Sequence, residues 1–301
     1  MDKLIIGTRG SKLALWQAHY TQDRLKEIGV DSELKIIKTK GDQIQHLSFD
    51  KIEGKGFFTK EIEDALLNNE VHLAVHSMKD MPTTQPEGLC LAAISYREDP
   101  ADCLVILKNV VAADGVLKLP PNPIVGTSSA RRKALIKEVR PDVELKDIRG
   151  NVPTRLQKLR DGQFDAIVLA MAGIKRLGLD MSDFEAIRLN PKEFVPAPAQ
   201  GVLAWQAKKS NDDICKLLRK IHNKEVLRCT NIERTVLKML DGGCHLPLGV
   251  YCEMDDLGYY HVYSILSGGL SQELHRVNIS SSISINLAKQ VYDRLVENVN
   301  L

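Results

Sequence analysis

One segment of this chain combines a glycine turn with three hydroxyls and two adjacent arginines, residues 126–132, GTSSARR. Glycine permits a tight turn, and the hydroxyls can cap a following helix or donate hydrogen bonds. The two arginines would lie in the first helical turn, where the helix macrodipole favours acidic side chains. Two cations there cost stability unless an anion binds beside them. The segment therefore favours an anion site, the alternative being a solvated pair of arginines.

Arginines recur after other predicted strands. Residues 7–11 (GTRGS) place Arg9 at a strand-to-helix turn whose N–H groups could bind an anion, or which Ser11 could simply cap. The arginines at such strand ends are Arg9, Arg131, Arg132, Arg149, Arg155 and Arg176. Because guanidinium groups bind carboxylates and phosphates in two-point geometry, the set as a whole predicts a polyanionic ligand.

Two further features could carry reaction chemistry. Lys79 and Asp80 lie at a strand end, where ligands of α/β sheets bind, although an isolated Lys–Asp pair is more often a surface ion pair. Cys244 follows two glycines at a helix end, a setting unlike that of a buried, inert cysteine. The adjacent His245 does not make a catalytic dyad with it, because neighbouring side chains in sequence seldom face each other.

Charge and composition exclude several classes of protein. With 41 basic and 39 acidic residues, the net charge of +2 lacks the basic excess of a nucleic-acid binder. The six cysteines show neither CxxC pairs nor zinc-finger spacing, so no metal site is expected. No apolar run approaches the roughly 18–20 residues that span a bilayer, and the N-terminus does not resemble a signal peptide. A cytoplasmic protein that binds neither membrane nor nucleic acid is expected.

The elements that position these side chains alternate between strand and helix. This alternation predicts a largely parallel sheet flanked by helices, with ligands at the carboxyl ends of the strands. The pattern repeats from about residue 101. Residues 190–200 contain three prolines and are predicted to cross between domains, and the chain from residue 246 predicts a small α+β region.

Taken together and in this order, these motifs resemble those of the hydroxymethylbilane synthase (porphobilinogen deaminase) family. The matching stretches are residues 8–14 (TRGSKLA), 55–62 (KGFFTKEI), 74–82 (AVHSMKDMP), 126–132 (GTSSARR), 149–155 (RGNVPTR), 196–201 (PAPAQG) and 242–244 (GGC). They extend over the chain from its first strand to about residue 250, whereas the remainder is similar only in general character.

The resemblance implies an α/β fold with three domains. Residues 1–97 together with 192–220 would form one periplasmic-binding-protein-like α/β domain, and residues 98–191 would form a second. The active cleft would lie between these two. Residues 221–301 would form a small C-terminal α+β domain that presents Cys244 on a loop.

The resemblance also implies a transferase. The sulfur of Cys244 would form a thioether to a dipyrromethane cofactor, itself assembled from the substrate porphobilinogen. Four porphobilinogens would be condensed head to tail through polypyrrole intermediates, each losing ammonia, and hydrolysis would release hydroxymethylbilane. A monomer is the expected state.

Site roles follow from the matching motifs. Asp80 would be catalytic: a carboxylate beside the pyrrole N–H groups stabilises the positive charge that develops as ammonia leaves, and could shuttle protons. The cofactor carboxylates would be held by Lys79, Thr127, Ser128, Ser129, Arg131, Arg132, Gly150 and Arg155. The substrate or growing chain would be bound by Arg9, Ser11, Arg149, Arg176, Lys55 and Phe58, the last two on a possible lid.

Two other classes of protein stay open at this point. A non-catalytic binding protein for small polyanions suits two α/β lobes, although neither a signal peptide nor a lipidation cysteine supports it. A cysteine hydrolase would need a histidine from elsewhere in the chain beside Cys244. The mass of the intact protein would separate these alternatives, because only the transferase carries a dipyrromethane.

Overall fold

The structure, a computed structural model, describes residues 3–39, 59–240, 246–268 and 273–297. The chain divides into two compact units. Unit 1 comprises Met1–Glu98 and Gly201–Leu227, and unit 2 comprises Asp99–Gln200 and Arg228–Leu301. Each unit is described by itself below.

The described residues form thirteen strands and eight α-helices. The strands are β1 (Leu4–Thr8), β2 (Ser32–Ile36), β3 (Leu73–Ser77), β4 (Leu89–Arg97), β5 (Asp102–Leu107), β6 (Ile124–Gly126), β7 (Glu144–Lys146), β8 (Ala166–Ala170), β9 (Phe184–Arg188), β10 (Val202–Lys208), β11 (Leu248–Met254), β12 (Tyr260–Leu266) and β13 (His275–Ser281). The helices are α1 (Lys12–Glu27), α2 (Lys60–Leu67), α3 (Ala130–Val139), α4 (Val152–Arg160), α5 (Met171–Leu177), α6 (Asp212–Arg219), α7 (Lys224–Met239) and α8 (Leu287–Val296).

Unit 1 contains a five-stranded sheet in the order β2-β1-β3-β10-β4. Strand β1 runs parallel to β2 and β3, whereas β10 runs antiparallel to both β3 and β4. Four strands therefore share one direction and β10 is inserted against them. Trp205 of β10 is fully buried, and its indole N–H donates to Thr21 Oγ1 of α1 at 2.8 Å, which fixes the helix on the sheet.

Unit 2 repeats this plan in its larger sheet, whose order is β7-β6-β8-β5-β9. Strand β6 runs parallel to β7 and β8, and β5 is the single antiparallel strand, between β8 and β9. The same unit holds a smaller antiparallel sheet, β11-β12-β13. Ile265 of β12 packs in one buried cluster with Leu135, Phe194 and Val195, so the two sheets of unit 2 share a core.

The predicted fold class is confirmed: two mostly parallel α/β sheets and a small C-terminal α+β region are present. The sequence analysis missed β9, β10 and α5, and with them the antiparallel strand of unit 1. The three-domain division and the cleft stay predictions. Within the described ranges, no helix is both long and apolar enough to span a membrane.

Candidate functional site

Three neighbouring parallel strands of unit 2 end beside arginines, as predicted. Arg149 follows β7, Arg131 and Arg132 lie in the first turn of the helix after β6, and Arg176 lies in the helix after β8. Because the carboxyl ends of parallel strands meet at one edge, the sheet brings these side chains to the same side of unit 2. Arg155, in the helix after β7, joins them.

Local hydrogen bonds explain why the chain turns at these points. Ser129 caps α3 by accepting the N–H of Arg132 at 3.4 Å, and Asn151 caps α4 by accepting the N–H of Thr154 at 3.0 Å. Ser128 Oγ donates to the carbonyl of Ile148 at 2.9 Å and accepts its N–H at 3.1 Å. This pair of bonds joins the two arginine-bearing turns directly.

The two arginines of α3 are buried, not solvated. Arg131 Nη1 donates to Asp102 Oδ2 at 2.7 Å and to the carbonyl of Val195 at 2.8 Å. Arg132 Nη2 donates to Asp102 Oδ1 at 2.6 Å, and its Nη1 to the carbonyl of Val168 at 2.9 Å. Asp102 is thus the anion that the helix macrodipole argument required, and it belongs to the protein itself.

The electrostatics of Asp102 agree with this geometry. Burial by itself would raise the pKa of Asp102, but the charges of Arg131 and Arg132 and the hydrogen bonds from both outweigh burial and hold the pKa well below its usual range. The carboxylate is therefore ionised at neutral pH. Thr127 is also buried, and its Oγ1 accepts the N–H of Ser129 at 3.3 Å.

The turn after β7 depends on a glycine. Gly150 has a φ of +109°, and a Cβ there would lie 2.7 Å from Cγ2 of Thr154. Its carbonyl accepts a 2.8 Å hydrogen bond from Arg155 Nε. Burial, followed by the charges of Arg132 and Arg149, lowers the pKa of Arg155 to about 10. Arg132 and Arg149 are therefore close enough to repel the guanidinium of Arg155.

In unit 1, Lys79 and Asp80 lie in a short 3₁₀ turn directly after β3, with Asp80 exposed and Lys79 half-buried. Arg9 follows β1, the strand next to β3, and Ser11 caps α1 by accepting the N–H of Ala14 at 3.3 Å. The sheet thus brings Arg9, Lys79 and Asp80 to one edge of unit 1. Ser11 therefore caps α1, one of the two roles expected for this turn, the other being an anion site.

A buried hydrogen-bond chain lies next to the Asp80 turn. Gln206 of β10 donates from Nε2 to Gln85 Oε1 at 2.9 Å and to Glu63 Oε1 at 3.2 Å. Its amide oxygen is then the acceptor for His76 Nε2 at 3.0 Å. Gln85 in turn donates to the carbonyl of Pro82 at 3.2 Å. The segment that follows Asp80 is thereby tied to the sheet.

His76 remains neutral within this chain. Burial, opposed by the hydrogen bond with Gln206 and assisted by the charge of Arg9, lowers the pKa of His76 to about 4. A neutral ring has one N–H, and the acceptor on Gln206 places that N–H at Nε2. The sequence analysis assigned His76 no role.

Some predicted site residues fall outside the described part of the chain: Cys244, Lys55 and Phe58. Conversely, sequence reasoning missed Asp102 and Gln206. The signal for Asp102 was a carboxylate at the start of an apolar strand, which meets the arginines only if that strand runs antiparallel. Gln206 lies in β10, a strand that was not predicted.

Comparisons with known proteins identify the family of this chain. Two family profiles match: "Porphobilinogen deaminase, dipyromethane cofactor binding domain" over residues 4–216, and "Porphobilinogen deaminase, C-terminal domain" over residues 227–266. The porphobilinogen deaminase of Staphylococcus carnosus is 40% identical over 299 residues, covering 99% of this chain and 96% of the relative. That of Oceanobacillus iheyensis is 45% identical over 257 residues, covering 85% and 82%.

Solved structures were also compared. A periplasmic binding protein of Salmonella typhimurium, described as having high arginine specificity, matches with a TM-score of 0.43 and 11% identity, covering 73% of this chain and 92% of the other. Substrate-binding domain 2 of Lactococcus lactis GlnP matches with a TM-score of 0.43 and 12% identity, covering 73% and 88%. The profile matches and the identity to the curated relatives establish that the chain belongs to the porphobilinogen deaminase family, with a dipyrromethane cofactor-binding domain.

Proposed function

We propose that this chain is a hydroxymethylbilane synthase: it condenses four porphobilinogen molecules with loss of ammonia and releases the linear tetrapyrrole by hydrolysis. Family membership supports the reaction type. The observation that carries the proposal is the cluster of Arg132, Arg149 and Arg155 at the carboxyl ends of neighbouring parallel strands, where burial and then the charges of Arg132 and Arg149 lower the pKa of Arg155. Each pyrrole ring bears an acetate and a propionate, so a chain of such rings supplies the carboxylates that this cationic cluster suits.

The dipyrromethane cofactor fits unit 2 on the same grounds. Its side-chain carboxylates would bind to the arginines of the α3 and α4 turns, while Cys244 would hold it through a thioether. The residues assigned to this role are Lys79 of unit 1 and, in unit 2, Thr127, Ser128, Ser129, Arg131, Arg132, Gly150 and Arg155. When bound, the cofactor supplies the pyrrole ring to which the first substrate is joined.

Asp80 would perform the chemistry on the incoming substrate. Its exposed carboxylate can accept hydrogen bonds from the pyrrole N–H of porphobilinogen. As the aminomethyl nitrogen leaves as ammonia, positive charge spreads onto the pyrrole nitrogen, and a carboxylate beside it lowers the energy of that state. Arg9, Ser11, Arg149 and Arg176 would bind the substrate carboxylates, with Lys55 and Phe58 closing over them.

The remaining assignments belong to the same proposal. Residues 1–97 with 192–220 and residues 98–191 would form two domains with the cleft between them, and residues 221–301 would carry Cys244. The protein would act as a cytoplasmic monomer.

The decisive experiment combines turnover with mass. We expect the purified full-length chain to convert porphobilinogen into hydroxymethylbilane and to carry the added mass of a dipyrromethane, which peptide mapping places at Cys244. Cys244→Ser should lose both the added mass and turnover, whereas the matched variant Cys90→Ser, which alters a half-buried cysteine of unit 1, should keep them. Turnover by a chain with unmodified Cys244 would overturn the proposed attachment.

A further inference from the structure

Asp102 occupies an unusual place for a buried carboxylate. Because β5 runs antiparallel, its first residue pairs with Ala170, the last residue of β8, and so lies at the edge where the parallel strands end. The residue is fully buried. Besides the two arginines of α3, Gln200 Nε2 donates to Asp102 Oδ1 at 2.9 Å. Both carboxylate oxygens therefore accept hydrogen bonds.

The charges around Asp102 do not balance. Arg131 and Arg132 are two cations with 5% and 9% of their side chains exposed, and the single carboxylate between them neutralises one. Arg132 also acts electrostatically on Arg155. Buried charges without a partner are costly, so an arrangement that keeps one excess cation beside other arginines favours an anionic ligand.

We propose that Asp102 is a positioning residue for the dipyrromethane: it fixes Arg131 and Arg132 before the cofactor binds and leaves one positive charge for a cofactor carboxylate. This inference rests on the proposed function, which assigns these arginines to the cofactor. Asp102 itself contacts neither cofactor nor substrate. Its effect is to hold two long side chains in place, so that cofactor binding does not have to order them.

A role confined to stability predicts something different. If Asp102 only held α3 to the sheet, its loss would destabilise the cofactor-loaded and the cofactor-free chain equally. If Asp102 positions the arginines, its loss must also reduce the extra stability that the cofactor confers, because the cofactor carboxylates stabilise the folded chain only through guanidinium groups that are held in the geometry to receive them. The two roles are therefore separated by the difference between loaded and free protein.

The experiment compares Asp102→Asn with the wild type and with Asp142→Asn. Asp142 is a good control because it also pairs with an arginine of unit 2, Arg140, with an Nη2–Oδ2 distance of 2.7 Å, but that pair holds a loop at the other end of α3. Each full-length protein is expressed identically. Intact mass gives the fraction of soluble chain that carries dipyrromethane. Anion exchange then separates loaded from free chains, and the Tm of each is measured.

We expect Asp102→Asn to lower the loaded-to-free ratio by about tenfold or more, as for residues that orient metal ligands, and to shrink the Tm difference between loaded and free chains. Asp142→Asn should leave both values near those of the wild type. Equal loading and an unchanged Tm difference in Asp102→Asn would overturn the inference. A wild-type chain without dipyrromethane would instead overturn the proposed function.

A second variant covers the case in which Asp102→Asn yields no soluble protein. Gln200→Leu keeps every charge and removes the hydrogen bonds that Gln200 Nε2 donates to Asp102 Oδ1 and to the carbonyl of Pro100. It should also reduce loading, but by a smaller factor than Asp102→Asn. Intact mass and the Tm difference between loaded and free chains measure the effect. Wild-type loading and an unchanged Tm difference in Gln200→Leu would then count against the positioning role.

Discussion

The two five-stranded sheets share one strand plan, but their antiparallel strands contribute different polar side chains. In unit 2 the antiparallel strand β5 brings Asp102, an ionised carboxylate, between two buried arginines. In unit 1 the antiparallel strand β10 brings Gln206, an amide, into hydrogen bonds with His76 and Gln85. The corresponding antiparallel strand therefore supports an ion cluster at the carboxyl edge of one sheet and an uncharged imidazole–amide pair inside the other, where Gln206 lies opposite Ala74, the second residue of β3.

This difference suggests a division of tasks. Ion pairs fix cations in place and set a local potential, which suits the recognition of a permanently anionic group. A chain of directional hydrogen bonds can hold a turn in place without placing a cation in that chain, which suits a carboxylate such as Asp80 that must respond to charge developing on a substrate. The predictions below test this contrast, beginning with the largest effect.

Removing the charge of Asp80 should impair catalysis while leaving cofactor binding intact. Asp80→Asn is expected to keep the cofactor and its Tm but to lose at least about 100-fold in kcat, the usual effect of removing a group that stabilises transition-state charge. Turnover of porphobilinogen measures kcat, and intact mass shows whether the cofactor is retained. Asp64→Asn, at an exposed carboxylate of α2, is the control and should behave as wild type. A kcat within a few-fold of wild type for Asp80→Asn would remove this residue from the mechanism.

The next prediction concerns the turn at Gly150, whose carbonyl holds Arg155 at the arginine-bearing edge of the unit 2 sheet. An L-residue in the left-handed region costs about 1–2 kcal/mol, and this applies both at Gly150 and at Gly162, where φ is +70°. Only at Gly150 does the new Cβ also collide with Thr154, whereas nothing lies within 4 Å at Gly162. Gly150→Ala should therefore reduce the free energy of unfolding by about 1–2 kcal/mol more than Gly162→Ala, because the clash adds strain.

Urea titration of both variants measures this difference. Gly150→Ala should also carry less dipyrromethane, since the displaced carbonyl no longer fixes Arg155. Equal losses of stability in the two variants, with normal loading, would mean that the turn tolerates a side chain and does not set the position of Arg155.

The last prediction concerns the pH dependence of stability that His76 of unit 1 contributes. The pKa of His76 is about 4 in the folded protein and about 6.5 in the unfolded chain, so the unfolded state binds the proton more strongly. The stabilisation is complete above about pH 6.5 and is lost as the pH falls towards 4. Between pH 7.5 and 4.5 the wild type should lose about 2–3 kcal/mol that His76→Gln does not lose.

Unfolding free energies at the two pH values, compared between wild type and variant, test this expectation. His19→Gln, at an exposed histidine of α1, should show the wild-type dependence. If the wild type and His76→Gln have parallel pH profiles, His76 does not stay neutral in the folded protein.

Much of this architecture follows from local sequence patterns. The positions of Ser11 and of the hydroxyls of residues 127–129 at helix starts, and of the arginines at strand ends, depend on residues close in the chain, which is why motif and periodicity locate them. The partners of those arginines, by contrast, do not lie close to them in the chain. Asp102 lies in β5, and its relation to Arg131 depends on strand direction, which a single sequence does not reveal.

The same limit explains why β10, the antiparallel strand of unit 1, was not predicted. Residues 202–208 (VLAWQAK) are almost wholly buried between β3 and β4, so they show no alternation of polar and apolar residues. Gln206 and His76 are far apart in sequence and meet only through this pairing. Polar residues at buried positions were therefore the part of the site that sequence reasoning could not assemble.

The strand order also has a consequence for the ribosome-bound chain. All five strands of the larger unit 2 sheet lie between Asp102 and Arg188, whereas the unit 1 sheet needs β10, which begins at Val202 and fills the space between β3 and β4. During synthesis from the N-terminus, the unit that starts first must leave β4 without a partner strand and one edge of β3 unpaired until the other sheet has been completely translated. The N-terminal region is thus the last of the two sheets to receive all its strands.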